Sequence, residues 1–495
     1  MFGTNIEEKT ADFTSGENLY PLQKKFTLAG LVFGIVSGAV SFNLLVGLST
    51  FVLFFGVGWL WRRREPPILV ACFISHWIWA TIGYFYKIGK GEYPAFPFAT
   101  NIEKAVLLSL AGLICVVMGI RFTLHLLKPR LVFNWRKIEA LNIRYSVQRL
   151  FWIVIFFFSI NWFMEIFPMG MIYNAAQLIM NLFLFRELFF FMLLLAILNQ
   201  REGFKYGVIV FLYVLLPKFI SYFSGFKEIF LLLIIAFLSR GQRDETSEKE
   251  KKFDRKVMVV SVIFIIIVYF FGLAWEGAIK PVWRPAIKSG MVKGTPVDKL
   301  REFSSVVVQT VPKLDLAKST DSLAIRLASP LGYFSYVLLR VPNMIPHENG
   351  ALTLRAWNHM IRPRILFPEK EGLGSHSWLI RKYAGFNVAG LERETTIALG
   401  YIPQLYIDYG SYGMLLAVFL LGMLLGFVYA LILMFSQSYY IFSSAVTVVF
   451  MRNYLYYETE LAFLLGSLFT TTIVFMGLII LTGAWFDKRL TVRQT

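Results

Sequence analysis

The residues of this chain best suited to chemistry are cationic. Arg326, Arg340, Arg355, Arg362, Arg364 and Lys370 fall in one polar region together with His359 and His376. The densest part is HMIRPRILFPEKEGLGSHSW, residues 359–378, with two Arg, one Lys, two Glu and two His. Arginine presents a planar fork that grips phosphate oxygens through two parallel hydrogen bonds. Such a set can neutralise the charge growing on a departing pyrophosphate without a metal. The plainer alternative for any one Arg is a headgroup contact or a solvated charge. That alternative fits the Arg364–Lys370 stretch least, because Pro363 and Pro368 stiffen it and Ile365, Leu366 and Phe367 tie it to apolar surface. Arg364 and Lys370 are therefore the expected pyrophosphate contacts. A hydroxyl nucleophile also needs a general base. His359, His376 and a nearby Glu are the candidates, set against ordinary surface polarity, and spacing does not choose among them.

Other chemistries lack their residues. No Cys accompanies the histidines and no HxxE or HxxH spacing occurs, so neither a metal nor another cofactor is expected. There is no P-loop or GxGxxG phosphate cradle, and no DxD-type acidic pair for a metal-bound nucleotide sugar. Cys72 and Cys115 both lie in apolar runs, which excludes a disulfide-stapled domain. No Ser/His/Asp set stands out for a protease.

Charges also interrupt the apolar runs. FLFRELFFF puts Arg186 and Glu187 mid-run, and SGFKEIFLL puts Lys227 and Glu228 at the start of another run. A charge at membrane depth is costly and normally faces the bundle interior or a wet cavity. The alternatives are an ion pair that fixes helix packing, for Arg186, and snorkelling to the interface, for Lys227 and Glu228. Glu165, Lys218, Arg452, Glu458 and Glu460 are expected to line the same outer cavity.

The elements that must hold these groups are membrane helices. The chain is 57% hydrophobic and only 16% charged, with mean hydropathy +0.61, against about a quarter charged in a soluble domain. Its apolar runs are continuous, which disfavours a β-barrel. Roughly 20 apolar residues cross a bilayer core. Twelve spans are predicted, at 26–42, 43–61, 67–86, 104–127, 150–167, 178–199, 206–222, 226–239, 256–275, 411–435, 439–455 and 460–484. Asn43 must mark a tight turn between the first two. No cleavable signal peptide and no internal repeat is visible.

Basic residues orient the bundle. RRRE follows the second span, KPRLVFNWRKIEALNIRYSVQR the fourth, NQREGFK the sixth, SRGQRDETSEKEKKFDRK the eighth and DKRLTVR the twelfth. Every even-numbered exit is thus expected to be cytoplasmic, with both termini inside. Three regions follow: an N-terminal bundle of about nine helices over 1–275, a large external loop over 276–400, and about three helices over 401–495. The loop carries 17 Lys+Arg and 10 Asp+Glu, a net +7 before His. Long loops cross regardless of charge, and an outward basic region suits anionic glycolipids or phosphates better than nucleic acid. Within it an amphipathic helix is predicted from Asp298. The segment 322–343 either lies on the membrane or forms a thirteenth span, which would invert everything after it.

At this point the chain resembles the Wzy-type oligosaccharide repeat-unit polymerases of O-antigen, capsule and exopolysaccharide assembly. SLAIRLASPLGYFSYVLLRVPN is similar to that family's Arg-bearing external helix. IRPRILFPEKEG is similar to its Pro-Arg-x-x-x-Pro-x-Lys pattern, and TTIALGYIPQLYIDYGSYG to its approach to a late helix, here with Tyr406, Asp408, Gly410 and Gly413. SGFKE is similar to a small-Arg-Gly turn, with Lys227 in the basic position. There are two departures: Gln404 stands where many members carry an acid, and Lys227 for Arg loses a bidentate grip.

The resemblance implies an all-α polytopic membrane protein of GT-C-like type, in a bacterial inner membrane. Its donor would be a growing glycan on undecaprenyl pyrophosphate, and its acceptor another lipid-linked repeat unit. Membrane lipids, a chain-length regulator and a flippase are the expected partners. Arg326, Arg340, Arg362, Lys370, Lys227, Arg186 and Tyr406 are then the expected pyrophosphate and glycan contacts, with His359, His376 and Arg364 at the chemistry. Two other readings compete. An O-antigen ligase would use the same donor grip. A transporter or lipid-glycan flippase suits twelve spans, but no two-half repeat supports it.

Overall fold

Hydrocarbon leaves an apolar chain one local solution, the helix, which satisfies its own backbone. The chain takes it and is 83% helical, with no strand among the described residues. The computed structural model describes residues 20–491 apart from 63–64, 94–95, 97–98, 141–143, 167–175, 221–225, 241–247, 290, 293–295, 363–366, 368–369, 371 and 391–395. Arg364, Pro363 and Pro368 therefore lie outside the described residues.

Every predicted span is a helix: α1 Tyr20–Val40, α2 Leu44–Leu60, α3 Ile68–Lys90, α4 Ile102–Leu126, then, after α5 Lys128–Ala140, α6 Val147–Ile166, α7 Ala176–Gln200, α8 Phe204–Ile220, α9 Phe226–Arg240 and α10 Glu248–Ala274. The polar region adds α11 Lys280–Lys288, α12 Pro296–Thr310, α13 Leu316–Arg340 and α14 Ala351–Ile361. The chain closes with α15 Tyr401–Phe435, α16 Tyr439–Tyr454 and α17 Leu461–Leu490. Among the described residues six stretches are long and apolar enough to cross a membrane: Ile68–Lys90, Ile102–Leu126, Arg255–Lys288, Leu316–Arg340, Tyr401–Phe435 and Leu461–Leu481. Leu44–Leu60, Val147–Ile160 and Phe204–Leu215 are apolar but shorter. This is a helical membrane protein.

Local chemistry explains the boundaries. Asn43 turns the chain between α1 and α2, its side chain accepting from the amides of Leu45 and Val46. Asp298 does not start α12, which begins two residues earlier at Pro296. α13 starts at an N-cap the spacing did not single out, Asp315, which accepts from the Lys318 amide. α10 does not stop at the predicted 275 but runs on through a π-turn, Trp275–Ile279, into α11. Pro281 has no N–H to return to the Gly277 carbonyl, so the turn before it widens instead of closing.

Two features organise the core. α4 and α15 approach until their backbones touch: a Cβ on Gly119 would stand 2.2 Å from the Phe419 carbonyl oxygen, and one on Gly422 2.4 Å from that of Val116. Small residues allow this close packing in membranes. α15 is also not straight. Gly410, at φ 67° and ψ −170°, breaks it, a conformation that only glycine adopts without strain. Ile402 packs on Gly112 of α4, and Phe419 on Gly119. Those two glycines are about 10 Å apart along α4, whereas a straight helix would separate 402 from 419 by about 25 Å. The helix therefore folds back at Gly410, and its first limb, 401–409, re-enters the bundle.

α13 is long enough to span, and it packs along α3 and against α15. Asp321 accepts from Tyr86 of α3 (2.9 Å), Ala328 accepts from Tyr93 (2.7 Å), and Val341 accepts from Tyr406 (3.1 Å). At one end of the bundle, three of the basic segments meet. Gln200 donates to the Tyr145 carbonyl (2.7 Å), the Ser146 amide to Leu490 (2.8 Å), and Tyr145 pairs with Ser438 (2.7 Å). The exits after the fourth, sixth and twelfth predicted spans thus share one end, as the charge pattern requires.

Candidate functional site

The end of the bundle away from that junction collects the charges. Its floor is the short turn 455–460 between α16 and α17. Glu458 and Glu460, two residues apart on it, take different partners. Arg326 of α13 grips Glu458 with both terminal nitrogens (3.2 and 2.7 Å) and lies over the Trp79 ring at 5.5 Å. His376 gives a close hydrogen bond through Nδ1 to Glu460. Glu460 is nearly enclosed, with 5% of its side chain exposed against 16% for His376. If Nδ1–H donates to the carboxylate, Nε2 is the nitrogen left to take a proton, and the carboxylate steadies the resulting imidazolium.

Beside this turn, Arg452 of α16 pairs with Glu228 at the start of α9 (3.5 Å). Glu228 also lies in electrostatic reach of Glu187, Lys218 and Arg186. Arg186 and Glu187 pair with each other (3.5 Å), and Arg186 lies over Phe158 at 5.5 Å. An unneutralised charge at this depth would be costly, which accounts for the chain of pairs.

The other expected residues are distributed around this centre. His359, on α14, lies against Gly466 of α17, six residues beyond Glu460 and so about 9 Å along the helix. Lys370 donates to the carbonyls of His359 and of Arg362 (2.7 Å), closing the C-terminal end of α14. Arg362 itself is exposed, and Arg355 stacks over Trp378 at 5.2 Å. Arg340, in the last turn of α13, presses on Gly385, and its buried Nε has no hydrogen-bond partner among the described residues. Lys227 pairs with Glu276 of the π-turn (3.2 Å), not with the central cluster. Glu165 lies in a helix, but its side chain is outside the described residues. Among the described residues no three His, Cys, Asp or Glu side chains converge as a metal site needs.

Spacing missed a buried network beneath the turn. His76 of α3 meets Tyr401 through Nδ1 (3.1 Å), Tyr401 meets Tyr454 (3.3 Å), and Tyr457 meets Ser109 (3.0 Å). The only sequence signal was a lone His in an apolar run, which more often marks a satisfied core residue. Here it fixes the depth of the re-entrant limb against α16 and the turn.

Asp408 has a structural role. α14 begins at Gly350, which has no side chain to cap it. Asp408 caps it from α15, accepting from the amides of Leu352 (3.0 Å) and Thr353 (2.7 Å) and the Thr353 hydroxyl (2.5 Å). Hydrogen bonds to a charged acceptor contribute about 1.5–3 kcal/mol. Asp408→Ala is expected to lower stability by about 2 kcal/mol and to speed protease cleavage after α14. An unchanged cleavage rate would remove Asp408 from this role.

A second clamp holds the segment 380–385. Glu348 accepts from Lys382 (2.7 Å) and Tyr383 (2.5 Å). These bonds, that from Lys382 first, hold the Glu348 carboxyl below its ordinary 4.5. The bond to Glu348 raises Lys382 above its ordinary value. Burial, then the same carboxylate, pushes the Tyr383 phenol up to about 12. A lowered carboxyl stabilises the fold above its unfolded value, and that contribution is lost as pH falls through the lower folded value. The raised Lys and Tyr contribute fully below their unfolded values and lose this as pH rises through the folded ones. Glu348→Gln is therefore expected to speed hydrogen exchange at Tyr383 at neutral pH, with the gap to wild type narrowing as pH falls below 4.5. A gap independent of pH would contradict the clamp.

Compared with known proteins, the chain matches no family model, no curated sequence and no solved structure.

Proposed function

We propose that the chain is a glycosyltransferase polymerising oligosaccharide repeat units carried on undecaprenyl pyrophosphate, at the outer face of a bacterial cytoplasmic membrane. In this reading all twelve predicted spans cross, the fold is GT-C-like, both termini are cytoplasmic and the region 276–400 is external. The observation that carries the proposal is the turn 455–460, where Glu460 holds the imidazole of His376 and Glu458, two residues earlier, holds the guanidinium of Arg326. The first supplies a base and the second a cation for phosphate.

The step balances as follows. The acceptor hydroxyl oxygen bonds to the anomeric carbon of the donor sugar. The bond from that carbon to the diphosphate oxygen breaks, and its electron pair leaves with the lipid diphosphate. The hydroxyl proton passes to Nε2 of His376, whose charge Glu460 stabilises. Arg326 meets the growing negative charge, turning its exposed guanidinium edge from Glu458 to phosphate. Arg362 and Lys370 extend the cationic side, and Arg364, outside the described residues, is assigned here from its place in the sequence. Arg340 and Tyr406 flank that side, while Lys227 holds the π-turn through Glu276 and Arg186 holds α6 through the Phe158 ring. The amphiphilic substrates match a polar site at the rim of an apolar bundle.

The test is the lipid-linked glycan pool of a strain lacking the protein. Accumulated single repeat units on the outer leaflet support polymerisation. Finished but unattached chains would point to the ligase, and repeats held on the inner leaflet to a flippase.

A further inference from the structure

At the end of the bundle opposite the turn 455–460, a cavity of about 480 Å³ opens between α1, α2, α4, α5 and α15. Its place follows from α4: Ser109 meets the turn through Tyr457, while the cavity begins at Met118 and is lined by Arg121 and His125. Arg121 is twelve residues beyond Ser109, about 18 Å down the helix. Lys128 of α5 and Arg62, just after α2, complete the polar side. No acidic residue is among the lining groups. Glu65 is the counter-charge of Arg62: it pairs with Nη2 (3.1 Å) and accepts from Tyr429. The other terminal nitrogen, Nη1 of Arg62, is buried with no hydrogen-bond partner among the described residues. A buried guanidinium donor left without an acceptor is costly, and such atoms usually mark a missing partner.

The remaining wall is apolar, with Trp59, Phe122 and Phe419 facing the cations. The volume falls in the range of small-molecule sites. A soluble anion would use the cations and leave the aromatic wall wet. A phosphate joined to an acyl chain would use both. We propose that this cavity binds the phosphate headgroup and first methylenes of an anionic membrane lipid, with Arg62, Arg121 and Lys128 on the phosphate. Basic pockets between membrane helices on the cytoplasmic side are suited to such headgroups, and the basic segments converge at this end. The site is separate from the proposed transfer chemistry and does not depend on it.

The experiment uses the full chain purified in detergent and incubated with equal phosphatidylglycerol and phosphatidylcholine, with or without inorganic phosphate, then examined by native mass spectrometry. The wild type is expected to retain phosphatidylglycerol over phosphatidylcholine, and inorganic phosphate at the same concentration should not displace it. The double substitution Arg121→Gln with Lys128→Gln is expected to weaken that retention about thirtyfold, at about fivefold per cation. Equal retention of the two lipids by the wild type overturns the site, and that arm needs no variant to fold. Displacement by phosphate alone would overturn the lipid assignment in favour of a soluble anion. Unchanged retention in a folded double variant would place the lipid elsewhere.

Discussion

His376→Gln is expected to cut glycan chain extension by about 10²–10⁴-fold, the usual contribution of a positioned base, while the protein still inserts and folds. Glutamine keeps a donor for Glu460 but has no nitrogen that can take a proton at neutral pH. The loss should appear as single repeat units with no ladder above them, in cells whose membranes carry normal amounts of the variant. Glu460→Gln should also reduce extension, because the imidazole loses the carboxylate that orients its Nδ1–H. His359→Gln serves as the comparison. Its ring lies against Gly466, about 9 Å along α17 from Glu460, so it should retain most of the ladder. If His376→Gln keeps the ladder and His359→Gln loses it, the assignment of base is reversed.

Gly422→Ala carries the second large effect, and it concerns the scaffold. The added methyl carbon would stand 2.4 Å from the Val116 carbonyl oxygen and 2.9 Å from its Cα. Both are backbone atoms of a packed helix and cannot swing aside as a side chain could. α4 and α15 must separate, at about 3 kcal/mol, the upper end of what overpacking usually costs. Separation also disturbs the limb 401–409, because Ile402 rests on Gly112 of the same helix. Thermal unfolding in detergent should show a clearly lowered midpoint, with extension reduced in parallel. An unchanged midpoint would mean that the two helices are not in backbone contact.

The helices were legible because apolar runs of this length have one local solution. Each of the twelve predicted spans is a helix, and Asn43 turns where the lack of a linker demanded it. The bend at Gly410 was not legible. IDYGSYGM reads as the approach to a helix starting at 411, whereas the helix starts at Tyr401 and folds back at the glycine. Only the packing of both limbs on α4 distinguishes the two. The site was legible in residue types more than in pairings. Arg326 and His376 stood out, and Glu458 and Glu460 were named as rim acids, but which acid meets which base depends on the turn 455–460. His76 gave almost no signal, since its role comes from Tyr401, Tyr454 and Tyr457, far away in sequence. The pairing of Lys370 was likewise not legible. Its charge suggested phosphate, and its amine caps the carbonyls at the end of α14.

Reconstitution tests the central claim most directly. The full chain in lipid nanodiscs, given lipid-linked repeat units and no nucleotide sugar, should form a ladder of longer lipid-linked glycans and release lipid diphosphate in equal number to the new linkages. The His376→Gln protein, prepared identically, should form neither. No ladder from a folded wild type supplied with its own repeat units, or a ladder of equal yield from the His376→Gln protein, would contradict the account.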